Sequence, residues 1–125
     1  MRLLTLLLLI SLSFLYGCYY DSKEYLYPQE IAGCDTTNVT YNQSVSSILN
    51  SYCLSCHSNN SAASLGGNIR LEDYSDVILR VNDGSLIGSI NHDNGFSPMP
   101  KGSSKLNTCN ISVIQKWIDE GAPNN

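Results

Sequence analysis

The sequence predicts an all-α fold, a small helical domain covering residues 34–125, and three observations predict it. Val45, Ile48, Leu49 and Tyr52 recur at i, i+3, i+4 and i+7, the spacing of one apolar helix face. Ile111, Ile114, Trp117 and Ile118, at i, i+3, i+6 and i+7, mark a second apolar helix face near the other end of the domain. No convincing strand pair and no internal repeat lies between them, so the layers of the core are expected to be helix on helix.

The first helix is expected to open at Ser44, a good N-cap, and to lead straight into Cys53. Residues 58–67 form a Ser/Asn/Gly loop, followed by Ile69-Arg70-Leu71 and a short helix from Asp73 to about Val81, with Val77, Ile78 and Val81 on one side and Gly84 beyond its end. From Leu86 to Lys105, Gly88, Gly95, Pro98, Pro100 and Gly102 interrupt the pattern, which reads as a long loop without secondary structure; such loops in compact domains are usually functional. The last helix opens at the N-cap Asn107 and stops at Gly121, with Pro123 just past it.

Ahead of the domain, Arg2 precedes an apolar stretch from Leu3 to Leu15 that is too short to span a bilayer as a helix and reads as an export signal. Its end, Leu15-Tyr16-Gly17-Cys18, resembles a bacterial lipoprotein signal, in which residues 1–17 are removed and Cys18 carries the lipid. The alternative is an ordinary signal peptide that leaves Cys18 as a stray thiol. Residues 18–33, rich in Tyr and charge and without sustained periodicity, form the lipidated N-terminus and a tether; the alternative is that Tyr20, Tyr25 and Tyr27 pack on the domain as an arm. The eleven acidic side chains outnumber the seven basic ones and no basic run is present, so nucleic acid is not an expected partner.

Cys53-Leu54-Ser55-Cys56-His57 carries the chemistry. Two thiols three positions apart followed by an imidazole match the attachment signature of one covalent haem c: Cys53 and Cys56 take the two vinyl groups and His57 the iron. A thioredoxin-like pair would stand near a strand-helix-strand unit, and none surrounds Cys53. A zinc site would need further ligands, and combining Cys53, Cys56 and His57 with His92 gives awkwardly tight spacing. Export places the five cysteines in an oxidising compartment, and with lipid taking one and haem two, Cys34 and Cys109 remain for a disulfide that closes a long loop, valued at roughly 4 kcal/mol by chain entropy. Two separate thiols are the alternative.

This haem signature at the end of a first helix, a Met in a Pro/Gly loop and a Trp-bearing terminal helix ending Asp119-Glu120-Gly121-Ala122-Pro123 together resemble a class I cytochrome c domain of the bacterial lipoprotein type. The resemblance covers most of the chain after the signal. It implies a cytochrome c-like helical domain wrapped around one haem, with Met99, in Phe96-Ser97-Pro98-Met99-Pro100, as the second axial ligand opposite His57. It also implies that Ile114, Trp117 and Ile118 cross the first helix at Ile48, Leu49 and Tyr52. His92, in the same loop as Met99, is the alternative ligand and would give a bis-histidine haem. Arg70 and Lys101 read as solvated groups with propionate contact as the alternative, and Tyr74 likewise, with the crevice wall as its alternative.

The expected function is electron transfer by a membrane-anchored monohaem carrier, not an enzyme, acting as a monomer with redox partner proteins. The lipid is expected to hold it at a bacterial membrane, the outer one favoured by the absence of an Asp after Cys18, facing the periplasm or the cell surface. The alternatives are a haem-based sensor of small ligands and an accessory electron-transfer subunit of a larger membrane complex.

Overall fold

Among the residues that the computed structural model describes, 33–125, every regular element is helical. A π-helical turn, Tyr41–Val45, runs into α1 (Ser46–Tyr52), followed by α2 (Leu54–His57), α3 (Tyr74–Asn82), α4 (Ser85–Asn91) and α5 (Thr108–Asp119). The expected export signal, the expected lipid site Cys18 and all but the last residue of the expected tether lie outside the described residues. No helix among the described residues is long and apolar enough to cross a membrane.

The first helical segment starts earlier than expected. Thr40, not Ser44, is the N-cap, and its hydroxyl accepts the Gln43 N–H at 3.3 Å. Thr40-x-x-Gln43 has the form of a capping box, a signal that was present in the sequence. Val45 and Leu49 then enter the core while Tyr52, expected there, is 45% exposed. At Cys53 the backbone departs from helical values (φ −120°, ψ −40°), which ends α1 and lets the Cys53 carbonyl accept the N–H groups of Cys56 and His57 as α2 begins.

The largest departure is α4, in a stretch expected to be structureless. Leu86 and Ile90, one turn apart, are buried on the core side. Gly88 between them is no loop glycine: a Cβ there would run into the Phe96 ring, so the residue keeps α4 bare where the following loop packs on it. Gly84, at φ +74°, makes the corner between α3 and α4, and the Asp83 carboxylate accepts the Ser85 N–H across it at 2.9 Å.

The last helix has the expected cap and buried face. Asn107 caps it through its side-chain oxygen, which accepts the Asn110 N–H at 2.8 Å, and Ile114 and Trp117 are buried. Past Gly121 the chain turns back, and its carbonyls tie the ends of the domain together. Pro123 O accepts the Trp117 indole N–H (2.9 Å), Ala122 O accepts the Tyr74 hydroxyl (2.8 Å), and Asn125 takes the N–H groups of Tyr41 and Asn42 (both 2.9 Å). Tyr41, Tyr74 and Trp117 meet in one aromatic cluster, with Trp117 5.5 Å from Tyr41 between ring centroids. The terminal helix thus packs on the π-turn that precedes α1. Cys34 and Cys109 are joined, their Cα atoms 5.4 Å apart, so the start of the domain is also stapled to the first turn of α5.

Candidate functional site

The helices leave a predominantly apolar, partly open cleft of about 110 Å³. Cys53 and His57 border it from the α1–α2 side, Ile69 and Leu71 from the strand-less segment after α2, Leu86, Ser89 and Ile90 from α4, and Met99 from the following loop. Three of the four residues expected to bind the cofactor, from two distant stretches of chain, therefore share one cavity. Cys56, the fourth, is half-buried and is not part of the lining.

His57 is held in one orientation. Its Nδ1 lies 2.8 Å from the Ile69 carbonyl oxygen. A carbonyl only accepts, so Nδ1 carries the proton and Nε2 of the neutral ring keeps its lone pair, the form in which an imidazole ligates a metal. The loop that delivers Ile69 is itself anchored, since the Leu71 N–H donates to the His57 carbonyl at 2.9 Å. Gly66 backs the ring. A Cβ there would lie 2.9 Å from His57 Nδ1 and 2.5 Å from the Cys56 carbonyl oxygen, so only glycine lets this loop close against α2.

Cys53 and Cys56 are free thiols, in contrast to the joined Cys34 and Cys109. Burial pushes the Cys53 thiol up from its ordinary value of 9.0 to about 11. A redox-exchange thiol needs the opposite, a thiolate favoured at neutral pH by positive surroundings, and the lining beside Cys53 is apolar. Among the described residues no group of three or more His, Cys, Asp and Glu side chains converges in a way that could hold a metal ion.

Met99 reaches the cleft from a backbone fixed at both of its peptide groups. Its N–H donates to the Ser89 carbonyl at 3.0 Å, and its carbonyl oxygen lies 3.0 Å from His92 Nε2. His92 itself is exposed and is not part of the cleft wall. Comparisons with protein-family models, curated proteins and solved structures return no match. The functional reading therefore rests on this chain's own residues.

Of the charged or aromatic groups considered for the crevice, Arg70 is drawn away into an ion pair with Asp76 (3.1 Å) and Lys101 is exposed; neither borders the cleft. Tyr74 belongs to the aromatic core. The cation that does line the cleft is Arg80, on α3, paired with Asp83 at 2.7 Å. Its place could have been read from its spacing, since Arg80 stands three residues after the buried Val77 on α3. The contributions of Ile69, through a main-chain carbonyl, and of Ser85, Leu86 and Ile90, on a helix hidden by its glycine, had no comparable local signal.

Proposed function

We propose that this chain is an exported monohaem c-type cytochrome that carries electrons, with the helical domain wrapped around the haem. The observation that carries the reading is the convergence of Cys53, His57 and Met99 on a single apolar cleft, with His57 fixed in the metal-binding tautomer. In this reading Cys53 and Cys56 would hold the haem covalently, and His57 and Met99 would ligate its iron. When bound, the haem supplies a one-electron ferric/ferrous couple. The residues supply the rest. The Ile69 carbonyl orients His57, and the neutral thioether of Met99 favours the ferrous state. Leu71, Leu86 and Ile90 exclude water, while Arg80 gives the cleft a cation that suits haem carboxylates. Met99 is favoured over His92 as the second ligand because Met99 lines the cleft and His92 does not. A lipid on Cys18 would hold the domain at the membrane surface, within reach of redox partner proteins.

The test is to express the domain in a periplasm that contains haem-maturation machinery and to compare wild type, Met99→Ala and His92→Ala. A pyridine haemochrome assay reports covalent attachment, and the sulfur-to-iron absorption band reports ligation. The reading expects a thioether-linked low-spin haem whose sulfur band is lost in Met99→Ala. Absence of attached haem overturns it.

A further inference from the structure

His92 is used in a way that a helix end alone does not explain. It terminates α4 in the left-handed region (φ +59°, ψ +38°), where its N–H caps the helix by donating to the Ser89 carbonyl at 3.2 Å. Glycine or asparagine fills that position with least strain. Histidine is tolerated there at some backbone cost, and its ring makes one hydrogen bond: Nε2 meets the Met99 carbonyl oxygen at 3.0 Å. Because a carbonyl only accepts, Nε2–H is the donor.

The Met99 backbone is consequently fastened to one helix end on both sides, through its N–H to Ser89 and through its carbonyl to His92. The loop between the two residues is also laid on α4 where Phe96 covers Gly88. Pro98 and Pro100, on either side of Met99, each have φ locked by the ring. Few rotations remain between the anchored backbone of Met99 and its sulfur.

We propose that His92 is a positioning residue for the Met99 ligand, and that its Nε2–H bond to the Met99 carbonyl sets how readily a small external ligand displaces the sulfur from the haem. The inference rests on the His/Met reading above and adds to it a residue that touches neither iron nor cleft. An asparagine at 92 would satisfy the left-handed backbone but is too short to reach Met99 with its amide. A glutamine carries an N–H donor at the distance of the imidazole Nε2. The two substitutions separate the ring's bond from the helix cap.

The experiment measures carbon monoxide association with the reduced holoprotein, alongside the sulfur-to-iron band, in wild type, His92→Asn, His92→Ala and His92→Gln. Loss of one neutral hydrogen bond should raise the population with sulfur displaced, and with it the carbon monoxide association rate, by roughly twofold to tenfold in the Asn and Ala variants. The Gln variant should return toward wild type. If Asn equals wild type, His92 serves only as a helix cap and the proposal fails; if Ala and Gln behave alike, the side-chain bond is irrelevant and it also fails. A sixth ligand lost in His92→Ala but kept in Met99→Ala would make His92 the ligand and overturn it. Each of these outcomes presupposes attached haem with the wild type six-coordinate. A wild type without haem instead defeats the functional reading itself.

Discussion

Replacing Cys34 and Cys109 together by serine should destabilise the domain more than any single surface change, by an amount that follows from where the staple is placed. The two cysteines are 75 positions apart, so the bond closes a loop that contains α1 to α4 and the whole cleft. Chain-entropy arithmetic for a loop of that length gives about 4.5 kcal/mol, all of it through the unfolded chain. The bonds from the Tyr41 N–H to the Asn125 side-chain oxygen and from the Asn42 N–H to its main-chain oxygen also join the two ends of the domain, but they exist only in the folded state, so they cannot take over this role. At 4–8 °C per kcal/mol for a domain of this size, the midpoint of thermal unfolding should fall by roughly 20–35 °C. Urea unfolding of the holoprotein followed by far-ultraviolet circular dichroism measures the free energy directly, with Cys34→Ser alone as the control; it should match the double variant because either change removes the cross-link. A loss below about 1 kcal/mol would refute the reasoning, since it would require an unfolded ensemble that keeps the ends together without the bond.

Three further outcomes follow from the site and its supports. Gly66→Ala should force the loop off α2, because its Cβ would lie 2.9 Å from His57 Nδ1; a stability loss of about 1–3 kcal/mol in urea and a weakened low-spin haem spectrum are expected, and wild-type behaviour in both would count against the packing described. Tyr74→Phe keeps the aromatic cluster but leaves the buried Ala122 carbonyl without its 2.8 Å donor, which should cost about 1–3 kcal/mol in the same assay. In protein made without haem attachment, the unfolded chain ionises Cys53 near 9 while the folded chain holds it neutral to about 11, so the stability conferred by the buried thiol is whole below pH 9 and is lost as pH rises to 11. The loss is at most about 3 kcal/mol, and urea unfolding across that pH range should show Cys53→Ala with the shallower decline.

The elements that announced themselves in the sequence are those whose apolar spacing is uninterrupted. Ile111, Ile114 and Trp117 have no competing signal, and Asn107 marks their start, so α5 was legible from cap to stop. The Cys53-x-x-Cys56-His57 motif and Met99 were legible as residue types. Their convergence on one cavity was not, because it depends on α4, and α4 was masked by Gly88. Local propensity counts that glycine against a helix, whereas the structure uses it to admit Phe96, a contact formed only after the chain folds back. Tyr52 misled in the opposite sense, since it continues the periodicity of α1 yet lies half-exposed near the break at Cys53. The tautomer of His57 was equally out of reach, as it is fixed by a carbonyl twelve residues away in sequence.

The two sides of the cleft are built unequally, and that asymmetry bears on whether the site passes electrons or binds ligands. His57 belongs to a helix, its ring bonded to Ile69, backed by Gly66, and its own carbonyl held by Leu71, so dislodging it requires unfolding of the segment that also bears Cys53 and Cys56. Met99 belongs to a loop fastened to the end of α4 by one main-chain bond and one side-chain bond. Each is worth only about 0.5–1.5 kcal/mol net, so the methionine side can open while the histidine side stays closed. Carrier and sensor thus differ here by the grip of a short loop on one helix end, within reach of a single hydrogen bond. A chain selected to move electrons gains from a ligand that stays in place through both oxidation states. The doubling of anchors at Met99, one of them from a histidine held in a strained backbone conformation, favours the carrier.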